Sequence, residues 1–544
     1  MFLVMLVVWQ ASFSVINVAL ADIGPYYRSD AYAKGNFGKW PYQAYHSSPL
    51  LGPLSDQCDD GSYTLITPRG HAVPQPCPMI LDQRGNLVWS QPGYGRTYGL
   101  AVQKYRGRDY LTFWSGNDST LDSSYDEAYV IRSPDEDLYT DFHVFKITQN
   151  DTAIFTVYEI VPADLKSVNG SEAGWIWDSG FQEVNIETKR VLFDWRATAH
   201  YTFQESYRLP HAGEGEDEAR PWDFFHINSV DKDASGNYLI SSRYTSSLGY
   251  IEGATGRVLW KLGGKRNMFK DVSNGLATSF SGQHHAQFHD DATTISLFDN
   301  GRDFRAQHRE ERKTSRGIYL QLSTETMTVK VRGEYRTHRN IYSRSQGSMQ
   351  VLANNHIVLG HGFSAAWTEF TPEGKILCDV DFGPESAFEE GNVTSYQVQR
   401  HHWYGSPRTT AAVVLHGSTI YVSWNGATEV VEWVLEGTEC RHERQSNGFE
   451  FLASAPKQGF ETMLPIPDNS SCKLVRVLGL SPTAETLVVT TALRNNIAGL
   501  RHHGHDSLPS FNLRLEVLTL SLVGWIIGIF LLIRVGMLYY RLVQ

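Results

Sequence analysis

Residues 237–264, NYLISSRYTSSLGYIEGATGRVLWKLGG, contain a pattern that recurs along the chain. A β-branched or aromatic run leads into a turn rich in Asp, Glu, Thr or Gly, and a second run follows that ends near an aromatic residue or a glycine. Forms of the turn and second run occur at residues 81–91, 185–195, 251–264, 322–335 and 370–383. Short runs of this kind separated by turn residues are typical of β-hairpins. The sequence therefore predicts an all-β fold.

The spacing of the repeats favours a particular all-β architecture. Intervals of roughly 50–100 residues suit sheets of about four strands that carry long insertions. Repetition of such sheets around an axis gives a β-propeller, which leaves few exposed sheet edges. A pair of β-sandwiches is the alternative. No proline-rich or serine-rich linker divides residues 50–500, so residues 22–510 are predicted to form one domain.

Composition restricts the classes of partner. The chain has 544 residues, a net charge of -11 and 12% aromatic residues, which favour strands. It has no run of Lys and Arg, so nucleic acid is not expected to bind.

Both ends carry apolar segments. Residues 1–21 end in Ala19-Leu20-Ala21 and predict a cleaved signal peptide. Residues 517–533 form an uncharged run followed by Arg534, and we expect a transmembrane helix over residues 515–537. With residues 538–544 as a cytosolic tail, this predicts a single-pass type I membrane protein whose main domain is lumenal or extracellular.

The sequons and cysteines are consistent with a lumenal or extracellular location of the main domain. Five sequons predict N-glycosylation at Asn117, Asn150, Asn169, Asn392 and Asn469. In an oxidising compartment the nearest pairings predict disulfides Cys58–Cys77 and Cys440–Cys472, with Cys378 left over.

A histidine in the stretch PWDFFHINSV, residues 221–230, interrupts an apolar pattern. Side chains alternate along a strand, so His226 and Asn228 are predicted to share a face opposite Phe225 and Ile227. In a propeller that face points to the central channel. The alternative is a core histidine bonded to backbone.

Three further polar clusters break strand patterns. In residues 281–291 the side chains of His285, Gln287 and His289 share a face. A metal site formed by two histidines with Asp290 or Asp291 is an alternative there, although strand spacing disfavours it. Arg316 opens a strand directly after a loop, where a guanidinium could bind a tetrahedral anion. Residues 343–363 place Gln346, Gln350 and His361 on successive strands.

The chain resembles the arylsulfotransferase family, in its fungal branch, over roughly residues 50–490. The segments that carry the resemblance are residues 223–264, QHHAQF, ISLFDNG, SRGIYLQLSTETMTV, SQGSMQVLANNHIVLGHG and SWNGATEVVEW. The resemblance implies a six-bladed β-propeller with its active site in the central channel. It also implies transfer of a sulfuryl group between phenolic compounds through a histidine, with no nucleotide donor and no cofactor.

The resemblance also suggests roles for particular residues. His226 matches the histidine of D-x-x-H-x-N-S, His284 that of Q-H-[HD]-A, and Arg316 the arginine of S-R-G. The residue that accepts the sulfuryl group is left open among His226, His284 and His361. Asn228, His285 and Gln346 are the predicted substrate-binding residues.

Two other functions remain open from the sequence. One is an enzyme of fungal secondary metabolism that uses the same channel as a cyclase, isomerase or hydrolase, with histidine as general acid and base. The other is a non-enzymatic propeller that binds a partner.

Overall fold

The computed structural model describes residues 46–47, 58 and 60–495, apart from residues 74, 117, 136–137, 290–291, 303, 305–313, 386–387 and 441–447. The described residues contain strands and short 3₁₀ turns but no α-helix. The 3₁₀ turns with assigned bounds are Pro92–Tyr94, Lys166–Val168, Ala197–Ala199 and Phe203–Glu205. The predicted all-β fold is confirmed.

Most strands belong to six antiparallel sheets that follow one another along the chain. The sheets are numbered in their order along the chain, and the strands of each sheet are given in sequence order. Sheet 1 contains β2 (Tyr63–Ile66), β3 (Met79–Leu81), β4 (Leu87–Ser90) and β26 (Val398–His401). Sheet 2 contains β5 (Tyr98–Tyr105), β6 (Arg108–Trp114), β7 (Asp118–Leu121) and β8 (Glu127–Ile131). Sheet 3 contains β9 (Tyr139–Ile147), β10 (Thr152–Ala163), β11 (Gly174–Asn185) and β12 (Val191–Arg196).

The second half of the series has the same organisation. Sheet 4 contains β13 (Ile227–Lys232), β14 (Tyr238–Ser242), β15 (Ser247–Ile251) and β16 (Val258–Gly263). Sheet 5 contains β17 (Lys270–Asp271), β18 (His284–His289), β19 (Thr294–Asp299), β20 (Arg316–Ser323) and β21 (Thr328–Tyr335). Sheet 6 contains β1 (His46–Ser47), β22 (Ser348–Val351), β23 (Ile357–Gly360), β24 (Ala366–Phe370) and β25 (Ile376–Asp381).

The remaining strands follow the six sheets and form a C-terminal unit of two sheets. One contains β27 (Ala412–His416), β28 (Thr419–Ser423) and β31 (Glu461–Pro465). The other contains β29 (Glu432–Thr438), β30 (Glu450–Pro456), β32 (Leu474–Leu480), β33 (Thr486–Val489) and β34 (Leu493–Arg494).

The six sheets close into a ring. Strand β26, near the end of the series, pairs with β2 of sheet 1. The six inner strands form a closed cycle in which each contacts the next, in the order β5, β9, β13, β18, β22, β26 and back to β5. A separate hydrophobic cluster fills each of the six gaps between neighbouring sheets. Because both faces of each sheet are buried, the arrangement is propeller-like and differs from two packed sandwiches.

The repeated sequence pattern corresponds to one position in this ring. In five sheets it spans the turn into the outermost strand of the four, as in the hairpin from β15 to β16. Sheet 2 lacks the pattern, because its outer turn reads DSSYDEA and continues into the partly exposed strand β8. Sequence repetition therefore predicted the kind of unit and missed one copy.

A disulfide joins the two ends of the ring. Cys58 bonds to Cys378, at a sequence separation of 320, and not to Cys77 as predicted. The prediction was wrong because ring closure brings the first and last sheets together, which sequence spacing does not report. Cys77 is buried and belongs to neither disulfide, whereas Cys440–Cys472 forms as predicted.

The predicted single-pass type I membrane topology needs correction. Across the residues that the structure describes, no helix is long and apolar enough to cross a bilayer. The prediction depended on hydropathy alone, from a run of about 17 residues at the lower limit for a membrane span. Residues 1–21, 515–537 and 538–544, to which it assigned a signal peptide, a helix and a tail, lie outside the described residues.

Candidate active site

Several functional side chains meet at one end of the ring's central channel. His226, Gln346 and Tyr396 come just before inner strands, and His284 is the first residue of another. Arg69 and Arg243 follow β2 and β14, each of which lies second in its sheet. Because neighbouring strands are antiparallel, the start of an inner strand and the end of the second strand lie at the same end of a sheet.

His226 is held outside regular strand geometry. Strand β13 begins at Ile227, and His226 has a φ of 55°, so the alternation used to predict its direction does not extend to it. Asp223 Oδ2 lies 2.5 Å from its Nδ1, which leaves Nε2 as the ring nitrogen available to a substrate. Burial lowers the pKa of His226 by more than Asp223 raises it, which favours a neutral imidazole near pH 7. A left-handed backbone at a non-glycine residue is typical of functional sites.

A second histidine–carboxylate pair faces the first. On β9, Asp141 Oδ2 lies 2.6 Å from Nδ1 of His143. The rings of His143 and His226 meet edge to face, with centroids 4.8 Å apart. Burial raises the pKa of Asp141, but the charge of His143 and hydrogen bonds from His143 and Thr156 outweigh it and lower that pKa. Asp141 is therefore an anion that orients the His143 ring through Nδ1.

The neighbours of His284 fix its protonation state. Asn300 Nδ2 donates to the carbonyl oxygens of Ser343 and Gln346, so Oδ1 of Asn300 accepts from Nδ1–H of His284, at 2.7 Å. Nε2 of His284 then accepts from the Gln346 amide at 3.2 Å. Burial, followed by the charge of Arg243, lowers the pKa of His284 well below its usual value. Both nitrogens are occupied, so His284 supports the site and has no lone pair free for attack.

Arg243, which is buried, and Arg69, which is half-buried, supply positive charge and form no ion pair among the described residues. The Asp223 carboxylate acts on Arg243 only as a charge beyond ion-pair distance. Arg69 donates to Gln346 Oε1 at 2.6 Å and lies 4.2 Å from the Tyr98 ring centroid. Arg243 donates to the Arg344 carbonyl and lies 5.4 Å from the Tyr244 ring centroid. Arg69 Nη1 and Arg243 Nε are buried and have no hydrogen-bond partner in the described part of the chain. Such donors are suited to bind a tetrahedral anion.

Tyrosines surround the two histidine pairs. The Tyr244 ring centroid lies 5.0 Å from that of His226, and the Tyr396 centroid lies 5.6 Å from that of His143. Burial raises the pKa of Tyr396 well above its usual value, so its hydroxyl is a donor at neutral pH. Within the described residues that hydroxyl is buried and has no partner.

The channel continues beneath this cluster as a cavity of about 290 Å³. Tyr98, Phe142 and His143 belong both to the cluster and to the cavity wall. Asn228 and His285, predicted to bind substrate, also line the cavity. Asn228 Nδ2 donates to the Gln283 carbonyl, and its buried Oδ1 has no partner within the described chain.

The other two residues that sequence resemblance associated with catalysis lie within sheets. Arg316 is buried and donates to Asp299 at 2.8 Å and to Glu334 at 3.0 Å. His361 is fully buried, with Nε2 2.9 Å from Thr368 Oγ1. Neither shows a contact with His226, His143 or His284 in the described structure, so these positions favour structural roles. The structure thus brings together His226, His284 and Gln346, with Asn228 and His285 beneath them.

The metal alternative near His289 stays untested, because Asp290 and Asp291, either of which it would use as a ligand, lie outside the described residues. His289 Nε2 lies 2.8 Å from Ser296 Oγ. In the described ranges, the one group with ligand atoms close enough for an ion is Cys440, Glu450 and Cys472, whose two cysteines form a disulfide.

The predicted glycosylation sites differ in accessibility. Asn150, Asn169 and Asn469 are exposed and Asn392 is half-buried, whereas Asn117 lies outside the described residues. Sugar attachment at these sites stays a prediction.

Sequence reasoning missed His143, Asp141, Arg69, Arg243 and Tyr396. His143 lies in the strand YTDFHVFKI, which carries a signal like that of His226: the histidine follows an aspartate by two residues, and His226 follows Asp223 by three, each in an aromatic run. The two arginines lie outside the named strands and carry no sequence pattern. Arg243 is joined to His226 by a backbone hydrogen bond, whereas only the closed ring brings Arg69 to the histidines.

Comparison with known proteins identifies the family. The Arylsulfotransferase (ASST) family model matches residues 101–383, a little over half of the chain. No curated protein matches significantly.

Solved structures give only remote likenesses. A protein of unknown function from Bacteroides caccae is 13% identical, with a TM-score of 0.35, covering 63% of this chain and 99% of its own. A gluconolactonase from Xanthomonas campestris is 7% identical, with a TM-score of 0.29, covering 71% and 97%. The Dos1 propeller is 10% identical, with a TM-score of 0.28, covering 66% and 74%. Membership of the fungal branch stays a prediction. The family match shows that the chain belongs to the arylsulfotransferase family.

Proposed function

We propose that this chain is an aryl sulfotransferase that moves a sulfuryl group from an aryl sulfate to a phenol through His226. The observation that carries the proposal is the pair of histidine–carboxylate units, with ring centroids 4.8 Å apart, beside Arg69 and Arg243, which form no ion pair in the described residues. Family membership supports the reaction class. The proposed reaction needs no nucleotide and no cofactor.

The first half-reaction transfers the sulfuryl group to the protein. The lone pair on Nε2 of neutral His226 forms an N–S bond while the S–O bond to the donor phenol breaks. The electrons of that bond leave on the phenolate oxygen, and protonated His143 supplies the proton that completes the phenol. Splitting the transfer into two steps replaces one difficult displacement by two easier ones.

The second half-reaction returns the group to an acceptor. Neutral His143 takes the proton of the acceptor phenol while the phenol oxygen forms a bond to sulfur. The N–S bond breaks and its electrons return to Nε2 of His226. His143 is then protonated again and the site is ready for another donor.

Arg69 and Arg243 are proposed to bind the sulfuryl oxygens. A sulfuryl group in transfer carries its negative charge on equatorial oxygens, so fixed donors in a site shielded from water stabilise it strongly. Tyr396, whose hydroxyl is protonated and has no partner in the described residues, is proposed to donate to the phenolate as it departs. His284 and Gln346 are proposed to position these groups through their contacts with Asn300 and Arg69.

The ring of six sheets supports the finer description of the fold as a six-bladed β-propeller. Each proposed blade has one inner strand at the channel, and β26 supplies the inner strand of the first blade. This closure explains why residues as far apart as Arg69 and Tyr396 share one site.

Steady-state kinetics test the proposal. With 4-nitrophenyl sulfate as donor and phenol as acceptor, we expect release of 4-nitrophenol without any nucleotide, and parallel double-reciprocal lines because a covalent intermediate separates the two substrates. His143→Gln should abolish turnover, whereas the buried control Gln182→Leu should retain it. Intersecting lines, or no turnover by a folded protein, would contradict the proposal and favour acid–base chemistry on another substrate.

A further inference from the structure

The cavity beneath the histidine pairs has two chemically different walls. Its aromatic wall consists of Tyr98, Phe142 and Trp114, with the Tyr98 centroid 4.3 Å from Phe142 and 5.5 Å from Trp114. Flat apolar surfaces of this kind pack against aromatic rings. The cavity volume of about 290 Å³ is near the lower limit of roughly 300 Å³ for ligand pockets, which suits one or two rings.

The opposite wall consists of amides and imidazoles. His285 Nε2 lies 3.3 Å from Gln287 Nε2 and 3.4 Å from Gln399 Nε2, and His401 Nε2 lies 3.0 Å from Gln399 Oε1. Asn228 adds the buried Oδ1 for which the described chain offers no partner. The longer contacts leave donors and acceptors that a ligand hydroxyl or carbonyl could engage.

The cavity carries no uncompensated charge from its described lining. Burial lowers the pKa of His285 and of His401 to about 4, so both imidazoles are neutral at pH 7. Lys146, a cation in the wall, is paired with Asp231. The cavity therefore differs from the arginine-bearing cluster above it, which is suited to an anion.

We infer that this cavity binds the ring of an uncharged phenol that carries a second hydroxyl or carbonyl group, and that it selects such compounds as acceptors. The inference rests on the proposed function, because the acceptor hydroxyl would face His143 while the rest of the ring enters the cavity. The second polar group would then contact Gln287, Gln399 or Asn228. All six inner strands contribute to this pocket, through Tyr98, Phe142, Asn228, His285, Gln350 and Gln399.

A matched pair of acceptors tests the inference. Resorcinol and 3-methylphenol have nearly the same size and differ by a hydroxyl in place of a methyl. We expect Gln399→Leu and Gln287→Leu each to lower the ratio of kcat/KM for resorcinol to kcat/KM for 3-methylphenol by about three- to tenfold, the value of one hydrogen bond. Differences in intrinsic reactivity cancel because the readout is the change in this ratio. Gln182→Leu, a buried glutamine on β11 outside the cavity lining, should leave the ratio unchanged.

The outcomes separate the two proposals. Turnover with an unchanged ratio in both folded variants would overturn the acceptor pocket and leave the sulfotransferase intact. If the wild-type chain shows no turnover, calorimetric titration with the same two phenols still tests the pocket. Tighter binding of resorcinol that Gln287→Leu removes would support it, and equal binding of both phenols would overturn it.

Discussion

Arg316 and Arg243 are both buried arginines at strand ends in neighbouring sheets, yet their surroundings are opposite. Arg316 lies between Asp299 and Glu334, which neutralise its charge. Arg243 contacts a carbonyl and two aromatic rings and forms no ion pair in the described residues, although the charge of Asp223 acts on it from beyond ion-pair distance. A buried charge left without a counterion is costly, so its retention points to a ligand that supplies the missing anion. The sequence motif pointed to Arg316, whereas the environment points to Arg243.

The histidines divide in the same way. His226 and His143 each have Nδ1 bound to a carboxylate, and their rings meet edge to face at one end of the channel. His361 is enclosed in sheet 6 against Thr368, and burial lowers its pKa to about 4. A carboxylate-held histidine that presents its second nitrogen is available for chemistry, and an enclosed neutral one is part of the core.

Replacing Arg316 should have the largest effect on stability. Arg316→Met leaves Asp299 buried without its partner, and we expect the free energy of unfolding to fall by about 3–5 kcal/mol. Urea titration measures this change. The rate of transfer per folded molecule should stay near that of the wild type. An unchanged urea midpoint would show that Arg316 is not the structural arginine that its contacts indicate.

Replacing Arg243 or Arg69 should lower activity without lowering stability. Either change to Met removes a donor for the sulfuryl oxygens, and we expect kcat/KM for 4-nitrophenyl sulfate to fall about 10²–10³-fold, or about 2.7–4 kcal/mol. The urea midpoint should not decrease, because the substitution removes a charge that has no ion-pair partner in the folded protein. Full activity in both variants would remove the arginines from the proposed site.

Acid should destabilise the protein partly through His361. Its pKa is about 4 in the folded state against 6.5 in the unfolded chain, so the unfolded state binds more protons between these values. Stability contributed by this group is therefore lost as pH falls from 6.5 towards 4, by about 3 kcal/mol at most. His361→Gln should give a shallower dependence of unfolding free energy on pH over this window. Parallel pH curves for the two proteins would contradict the assignment.

The sequence predicted the all-β class and five of the six outer hairpins, because strand periodicity and turn residues are local properties. It also singled out His226, His284 and Gln346, which the structure brings to one end of the channel. It could not predict that β26 pairs with β2, or that Cys58 reaches Cys378, because both depend on closure of the ring. Arg69 and Tyr396 were missed for the same reason, since Gln346 and His143, which they contact, are more than 200 residues away in sequence. Arg243 was missed because no sequence pattern marks it, although it lies only 17 residues from His226.

The position of a covalent sulfuryl group tests the central claim most directly. The chain is incubated with ³⁵S-labelled 4-nitrophenyl sulfate without acceptor, quenched in base to preserve an N–S bond, and mapped by peptide mass spectrometry. We predict one labelled site, on the peptide that contains His226, absent in His226→Gln and present in His361→Gln. A label on His143, His284 or His361, or no label on a protein that turns over, would contradict the proposed role of His226.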